Sequence, residues 1–425
     1  MSIRFSMGLM ALVTGLASAD AGNWGAWRGP KGDGVSQEKD LARKWSRMEN
    51  VRWRAELPEP GNSTPVVWED RIFVTQAVGE RRTLMCFRRA DGALLWQEGV
   101  VTQEKEPTHA TNPFCSASPV TDGERVVASF ASDGLYCYDL EGKELWRRTD
   151  LGRQIHIWGN GSSPVLHGDW CFMNFGPGET TYLLAVDKRT GKTVWKHDEE
   201  TGYGRPRDPE VQGGESGDPA FIGSWSTPVI MDVEGSAQLL MSWPRRLAAY
   251  EPGTGRELWT CAGLNPLCYT SPVHENGIVV VMGGFNGMAM AVRAGGNGDI
   301  TESRRLWHHP RTKQRIGSGV IHEGHIYIHN DPGVAECFEL ESGDLVWEER
   351  LKAEGASAQN WSSVTLADGY CYTINQGGDA FVFRASPVFE LVSVNRLGEP
   401  ANASIVPAHG QLFIRTHQAL WCIGG

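Results

Sequence analysis

The sequence predicts an all-β fold, an eight-bladed β-propeller of four-stranded antiparallel blades that is closed by an N-terminal strand. Three observations predict it. A short segment that opens a repeat occurs eight times, most repeats end in a turn followed by tryptophan, and the last repeat lacks a strand that the N-terminal part of the chain supplies. Short apolar runs between turns that carry Gly, Asp or Asn are typical of antiparallel strands.

The opening segments read Ser63-Thr64-Pro65-Val66 in the first repeat and vary little in the next four, whereas the last three copies are degenerate. The proline or its equivalent falls at positions 65, 119, 164, 228, 272, 319, 363 and 404. Successive positions lie between 41 residues (363 to 404) and 64 residues (164 to 228) apart, and a four-stranded blade takes roughly 40–50. The longest interval holds a polar, Gly-rich insertion at residues 200–222, which we expect to form a loop on one face.

The turn that ends most repeats precedes a tryptophan, which we expect to pack one blade against the next because an indole buries a large apolar surface. These tryptophans are Trp96, Trp146, Trp195, Trp259, Trp307 and Trp347. The eighth repeat stops after Leu420-Trp421-Cys422-Ile423, which matches a third strand. The segment from Asn50 to Arg54 contains Trp53 and resembles the missing fourth strand. Its pairing with the last blade would close the ring and remove the exposed sheet edges.

The N-terminus has the pattern of a secretory signal peptide at residues 1–19. Arg4 precedes a short apolar run, and Ala17-Ser18-Ala19 fits a cleavage site between small residues. The run is too short to predict a transmembrane segment. We therefore expect a soluble, monomeric protein that is periplasmic or secreted, with residues 20–50 as a lead-in packed on a propeller that comprises residues 51–425.

Charge and cysteine content exclude several classes of function. The chain has 40 basic and 51 acidic side chains, a net charge of -11, and this argues against a nucleic-acid partner, which needs a basic face. Four of the nine cysteines share one repeat position and are predicted to be small buried residues; they are Cys86, Cys137, Cys337 and Cys422. Cys261 and Cys268 are the best candidates for a disulfide. No cysteine spacing predicts a zinc or redox site.

The unit from Tyr182 to Trp195, with its Asp187-Lys188-Arg189-Thr190-Gly191 turn, resembles the repeats of pyrroloquinoline-quinone-like (PQQ-like) propellers. That superfamily includes the quinoprotein alcohol dehydrogenases and the BamB outer-membrane assembly proteins. The stretches 24–35, 223–229 and 397–400 resemble exported bacterial PQQ-like repeat proteins, and the resemblance covers residues 24–425. It is specific for the fold and weak for function, since one fold hosts many functions.

In a propeller, the segments that enter the innermost strands surround the central axis, so they predict a ligand site at the mouth of the ring. The site is rich in amide and aromatic side chains and suits a planar or polyhydroxy ligand. Its candidate residues are Asn62, Cys115, His156, Trp158, Asn160, Trp225, Tyr269, Arg315, Asn360, Trp361 and Asn402. The alternative interpretation is structural: Asn caps turns, and the aromatic residues pack beneath loops.

We predict no catalytic residue and no metal ligand, because the predicted mouth contains neither Asp nor Glu. The family resemblance implies that a dehydrogenase would need a carboxylate base and a calcium ion, which takes oxygen ligands. The insertion holds Asp208, Glu210, Glu215 and Asp218, which leaves open a quinoprotein oxidoreductase that uses PQQ with calcium. The favoured prediction is a non-catalytic binding or scaffolding module without a cofactor, with envelope proteins or a small polar ligand as partner.

Overall fold

The computed structural model describes residues 22–103, 106–178, 180–200, 222–284, 287–352, 354–355 and 357–424. It confirms the predicted all-β, eight-bladed propeller, with four antiparallel strands in each blade. The predicted signal peptide and the interior of the predicted insertion lie outside the described residues.

Within blades 1 to 7 the strands follow chain order from the innermost to the outermost. Blade 1 comprises Val66–Trp68, Arg71–Val78, Arg81–Arg88 and Leu94–Val101. Blade 2 comprises Val120–Thr121, Arg125–Ser129, Leu135–Asp139 and Glu144–Arg148. Blade 3 comprises Val165–His167, Trp170–Phe175, Tyr182–Asp187 and Thr193–Asp198. Blade 4 comprises Val229–Val233, Ser236–Trp243, Arg246–Tyr250 and Glu257–Ala262.

The second half of the ring repeats this order. Blade 5 comprises Val273–Glu275, Ile278–Met282, Ala289–Arg293 and Arg305–His309. Blade 6 comprises Val320–His322, His325–Asn330, Val334–Glu339 and Leu345–Arg350. Blade 7 comprises Thr365–Ala367, Tyr370–Ile374, Asp379–Arg384 and Leu391–Arg396. Blade 8 comprises Val406–Ala408, Gln411–Arg415, Ala419–Ile423 and, as its outer strand, Val51–Glu56.

The strand Val51–Glu56 closes the ring as the sequence predicts. It pairs antiparallel with Ala419–Ile423, and Trp53 lies opposite Cys422. The indole N–H of Trp53 donates to the Arg89 carbonyl of blade 1 at 2.8 Å. The first and last parts of the chain are therefore joined within one sheet, and that sheet is packed on the next blade.

Short additional elements extend this plan. Val35–Ser36 pairs parallel with the innermost strand of blade 7, Gly223–Ser224 pairs parallel with Leu267–Cys268, and Gly298–Asp299 pairs parallel with the outer strand of blade 4. In the part of the chain that the structure describes, the helical elements are the 3-10 turn Ala131–Asp133 and the single-turn helix Thr301–Arg304. Among the described residues, no helix has the length and apolar character needed to cross a bilayer.

The apolar core is divided among the blade interfaces. Each of eight buried clusters joins side chains of two neighbouring blades, for example Phe73 of blade 1 with Tyr138 of blade 2. The four cysteines that share a repeat position are fully buried. In each of those four blades the cysteine lies opposite the outer-strand tryptophan, so a small side chain leaves space for the indole.

The outer-strand tryptophans also contact the next blade through hydrogen bonds. The indole N–H groups of Trp53, Trp96, Trp146, Trp195 and Trp307 donate to carbonyls in the last turn of the following blade at 2.8–2.9 Å. Gly191 shows why glycine occupies these turns: its φ is +70°, and a Cβ there would lie 2.6 Å from the Trp146 ring. Trp259 is the exception and donates to Gln238 Oε1, because residues 294–304 replace the tight turn in blade 5.

Residues 22–50 pack along the propeller. Trp24 exchanges two backbone hydrogen bonds with Val67 of blade 1, at 2.8 and 2.9 Å. The guanidinium of Arg28 is buried and donates to the carbonyls of Val364, Gly319 and Asp33, and burial lowers the pKa of Arg28 to about 10. Through Arg28 the lead-in therefore reaches the opening segments of blades 6 and 7.

Candidate functional site

A closed ring of hydrogen bonds lies where the eight chain segments enter the innermost strands. In blades 1 to 6 the ring residue directly precedes the proline-equivalent position, and in blades 7 and 8 it is Ser363 and Ser404. Its hydroxyl accepts the backbone N–H of the corresponding residue in the preceding blade, at 2.8–3.1 Å. The residues of this hydroxyl ring are Thr64, Ser118, Ser163, Thr227, Ser271, Ser318, Ser363 and Ser404. The ring satisfies eight buried N–H groups that would otherwise be costly.

The ring forms part of the wall of an axial cavity of about 340 Å³. The 19 lining residues are Trp27, Asn62, Thr64, His109, Asn112, Ser116, Ser118, Trp158, Gly161, Ser163, Trp225, Thr227, Tyr269, Gln314, Ile316, Trp361, Ser363, Asn402 and Ser404. No Asp, Glu, Lys or Arg is among these described residues, although such residues form 21% of the chain. The described lining is therefore polar and aromatic and contains no side chain of Asp, Glu, Lys or Arg.

Aromatic side chains from blades 3 to 5 form one wall of the cavity. The ring centroid of Trp225 lies 6.0 Å from that of Trp158 and 5.1 Å from that of Tyr269, with interplanar angles of 35° and 61°. The indole N–H of Trp225 donates to the Gly159 carbonyl at 2.9 Å. His156 is buried behind Trp225 and contacts it edge-on, with ring centroids 4.7 Å apart. These contacts fix the orientation of the Trp225 ring.

Amide side chains form the rim on the opposite side. Asn402 Nδ2 donates to Asn62 Oδ1 and to the Thr111 carbonyl, each at 3.2 Å, and Asn62 Nδ2 donates to the same carbonyl at 2.9 Å. Asn112 Nδ2 donates to the carbonyls of Trp158 and Asn160. The segment between blades 1 and 2 is therefore hydrogen-bonded both to blade 8 and to the start of blade 3.

Six of the eleven residues predicted at the mouth line the cavity: Asn62, Trp158, Trp225, Tyr269, Trp361 and Asn402. The other five lie outside the lining. His156 is behind Trp225, Asn160 offers its backbone carbonyl to Asn112, and the Asn360 amide donates to His329 and Ser362 carbonyls. Arg315 is buried against Glu336 at 2.8 Å. Burial raises the pKa of the Cys115 thiol to about 12, so this thiol is unreactive near neutral pH.

Sequence reasoning did not assign ligand contact to several lining residues. His109 and Asn112 belong to the second-longest interval between repeats, whose length was the available signal. Trp27 comes from the lead-in and lines both the axial cavity and a second cavity of about 420 Å³ between the lead-in and blades 3 and 4. The hydroxyl ring was visible in the first six repeats as a Ser or Thr before the proline position, but its hydrogen bonds were not. The positions 363 and 404 predicted for the last two repeats are wrong by one residue, because Ser363 and Ser404 are ring members and the innermost strands begin at Thr365 and Val406.

One carboxyl group lies directly behind the cavity wall. Asp331 follows the second strand of blade 6, and its backbone N–H donates to the carbonyl of the lining residue Gln314 at 3.1 Å. The residue is 4% exposed, and its Oδ1 has no hydrogen-bond partner. Burial raises the pKa of Asp331 to about 6, although the backbone N–H of Asn360 opposes the shift.

Calcium-bound PQQ is the group that the family resemblance implies, and the described lining does not fit it. Calcium takes six to eight oxygen ligands and usually several carboxylates, whereas no lining residue is acidic. PQQ is a tricarboxylate, and carboxylates are bound best by Arg or Lys, which the lining also lacks. Across the described parts of the chain, no group of three or more His, Cys, Asp or Glu side chains is placed to hold a metal ion.

The expected disulfide between Cys261 and Cys268 is wrong for this structure, in which both residues are free thiols. The Cys261 Sγ lies 3.9 Å from Met290 Sδ. The Cys268 Sγ is directed to the Trp243 carbonyl at 3.2 Å. The two side chains therefore occupy different environments, and burial raises the pKa of both thiols.

The fold and the repeats define a class of protein, the PQQ-like β-propellers. A family model described as outer membrane protein assembly factor BamB matches residues 43–184 and 179–423. These matches cover most of the sequence, so the chain belongs to this family. No curated protein sequence matches the chain.

Solved structures support the same fold. BamB from Moraxella catarrhalis is 12% identical, with a TM-score of 0.60 over 85% of this chain and 94% of that one. A europium-containing methanol dehydrogenase is 11% identical, with a TM-score of 0.66 over 94% and 90%. A quinohemoprotein alcohol dehydrogenase from Comamonas testosteroni is 12% identical, with a TM-score of 0.65 over 96% and 81%. At these identities the likeness concerns the fold alone.

Proposed function

We propose that the chain is a non-catalytic binding module whose axial cavity takes a small polar ligand. The observation that carries this proposal is the lining itself, with an oriented aromatic wall, a hydroxyl ring and no charged side chain among its described residues. Such a lining binds by stacking and hydrogen bonding. It lacks an ionised group to serve as a base and a set of carboxylates to hold a metal.

We propose further that the protein works in the cell envelope, exported by the signal pattern at residues 1–19 and associated with envelope proteins. The family description, an outer-membrane assembly factor, supports this role. Apolar side chains next to the outer-strand tryptophans are exposed, among them Leu145, Val194 and Val346. Outer strands with exposed apolar side chains are natural contact surfaces for another chain, and residues 200–222 are a second proposed contact.

The alternative is a quinone-dependent oxidoreductase, and Asp331 is the observation that favours it. A carboxyl group whose pKa is about 6 has the value expected of a general base near neutral pH. However, Asp331 lies behind Gln314 and does not line the cavity.

Titration of the full-length protein with PQQ and calcium tests the proposal. We expect no rise in melting temperature and no dye-linked oxidation of alcohols or sugars. A ligand present at 100 times its dissociation constant stabilises the folded state by about 2.7 kcal/mol, so saturating binding would be visible. A rise in melting temperature together with oxidation that Asp331→Asn abolishes would replace the binding module by the oxidoreductase.

A further inference from the structure

We propose that the axial cavity binds a neutral polyhydroxy ring, the end of an oligosaccharide, with one face of the sugar against the indole of Trp225. This inference rests on the proposed function and names the ligand class. It is carried by three properties of the lining: its charge, the arrangement of its aromatic rings and its unsatisfied hydrogen-bonding atoms.

The charge of the lining selects a neutral ligand. None of the 19 described lining residues is Asp, Glu, Lys or Arg. A buried anion or cation without a partner of opposite charge is strongly disfavoured. Phosphorylated, carboxylated and amino ligands are therefore bound less well than neutral ones.

Trp158 and Trp225 form a platform and leave no slot between them. The centroids of Trp158 and Trp225 are 6.0 Å apart at 35°, and this is already the spacing of two rings in direct contact. A third planar ring does not fit between them. The apolar face of a sugar ring needs one aromatic face only, while its hydroxyl groups remain free to reach the other side of the cavity.

Two of the lining residues each contain one buried side-chain atom that lacks a hydrogen-bond partner, a donor in one case and an acceptor in the other. Trp361 Nε1 is a donor and Asn402 Oδ1 is an acceptor. The Asn402 residue is 8% exposed, and its Nδ2 is already committed to Asn62 and Thr111. An unpaired buried polar atom is unfavourable, and a sugar hydroxyl both donates and accepts. A polyhydroxy ligand therefore satisfies both atoms with the same type of group.

The hydroxyl ring supplies further hydrogen bonds of the same kind. Six of its eight members line the cavity. Each of these six hydroxyl oxygens accepts a backbone N–H from the preceding blade, so its own hydrogen remains to be donated. Neutral donors of this type match the hydroxyl and ring oxygens of a sugar.

The test is calorimetric titration of the full-length protein with three neutral trisaccharides, maltotriose, cellotriose and chitotriose, while tryptophan fluorescence is followed. We expect at least one to bind and to change the emission. Trp225→Ala should weaken that binding about tenfold or more, because it removes the platform. Trp361→Phe keeps an aromatic ring at this position and removes the indole N–H, and it should weaken sugar binding about three- to tenfold.

Trp347→Phe is the matched control, because its indole N–H donates to the Ser386 carbonyl in the contact between blades 6 and 7, outside the cavity lining. It should leave sugar binding unchanged. If none of the three sugars binds at millimolar concentration, the saccharide assignment is wrong. Binding of PQQ with calcium and dye-linked oxidation would overturn the proposed function as well. Binding of a neutral aromatic compound with no sugar binding would overturn only the ligand class.

Discussion

The hydroxyl ring and the aromatic wall are built from neighbouring residues of the same segments. The ring residues are of one type in all blades, whereas the residues at the wall positions differ from blade to blade. At the ring position all eight blades carry Ser or Thr and make the same hydrogen bond. Two residues earlier the blades differ, with Asn62 in blade 1, Trp225 in blade 4 and Trp361 in blade 7. A residue that recurs in every repeat serves the fold, whereas departures from the repeat produce the asymmetric cavity.

Loss of the closing tryptophan should have the largest effect on stability. Trp53→Ala removes an indole that packs on Gly92 and donates to the Arg89 carbonyl. We expect a loss of about 3–5 kcal/mol in the free energy of unfolding, because the substitution creates a cavity and loosens the joint between the two chain ends. Urea denaturation followed by tryptophan fluorescence measures it. A loss below about 1 kcal/mol would show that the ring does not depend on this joint.

Removal of a single hydroxyl group from the hydroxyl ring should have an intermediate effect on the free energy of unfolding. Ser271→Ala leaves the buried N–H of Thr227 without the acceptor that it now has at 2.8 Å, and this costs about 1–3 kcal/mol. Ser116→Ala is the matched control, since Ser116 is partly exposed and its hydroxyl donates to the Pro113 carbonyl within a loop. We expect about 0.5 kcal/mol or less for the control. Equal losses in the two variants would contradict a special role of the ring.

The buried carboxyl group of Asp331, behind the cavity wall, should make the stability of the protein depend on pH. The folded-state pKa of Asp331 is about 6, above the value of roughly 4 expected in the unfolded chain. The folded protein therefore holds the extra proton between these values, and the stability that this group contributes is present below about pH 4 and is lost as the pH rises through 6. Asp331→Asn should stabilise the protein by about 1–2 kcal/mol at pH 7 and by little at pH 4.

Thermal melting of the wild type and Asp331→Asn at several pH values measures this difference. Asp379→Asn provides a contrast, because Asp379 is also buried but accepts the N–H groups of Glu354 and Gly355, so its replacement should destabilise at pH 7. If the difference in melting temperature between the wild type and Asp331→Asn did not change with pH, the raised pKa of Asp331 would be contradicted.

The sequence was sufficient for the fold because the fold is periodic. The recurring segments gave eight blades, and the strand at Trp53 could be assigned because a four-stranded pattern lacked one member. Of the residues that line the cavity, only those in the segments before the innermost strands could be predicted. Asn112 and Trp27 reach the cavity through contacts made by a long loop and by the lead-in, and no local pattern specifies those contacts.

The errors have physical causes of the same type. Asp331 was not predicted near the site because it lies between the second and third strands of a blade, whereas the predicted mouth comprises only segments that enter innermost strands. Cys261 and Cys268 were the best disulfide candidates by their spacing, but side-chain direction decides whether two thiols meet, and spacing does not determine direction.

Repeated residues hold the ring, and departures from the repeat give the cavity its asymmetry. Two variants, each measured for both thermal unfolding and trisaccharide titration, test this division of roles most directly. Ser271 belongs to the hydroxyl ring but not to the cavity lining, whereas Trp361 belongs to the cavity lining. The account predicts that Ser271→Ala lowers the melting temperature with unchanged sugar affinity, and that Trp361→Phe lowers the affinity with little change in melting temperature. If both variants altered both quantities equally, the separation between fold and site would be contradicted.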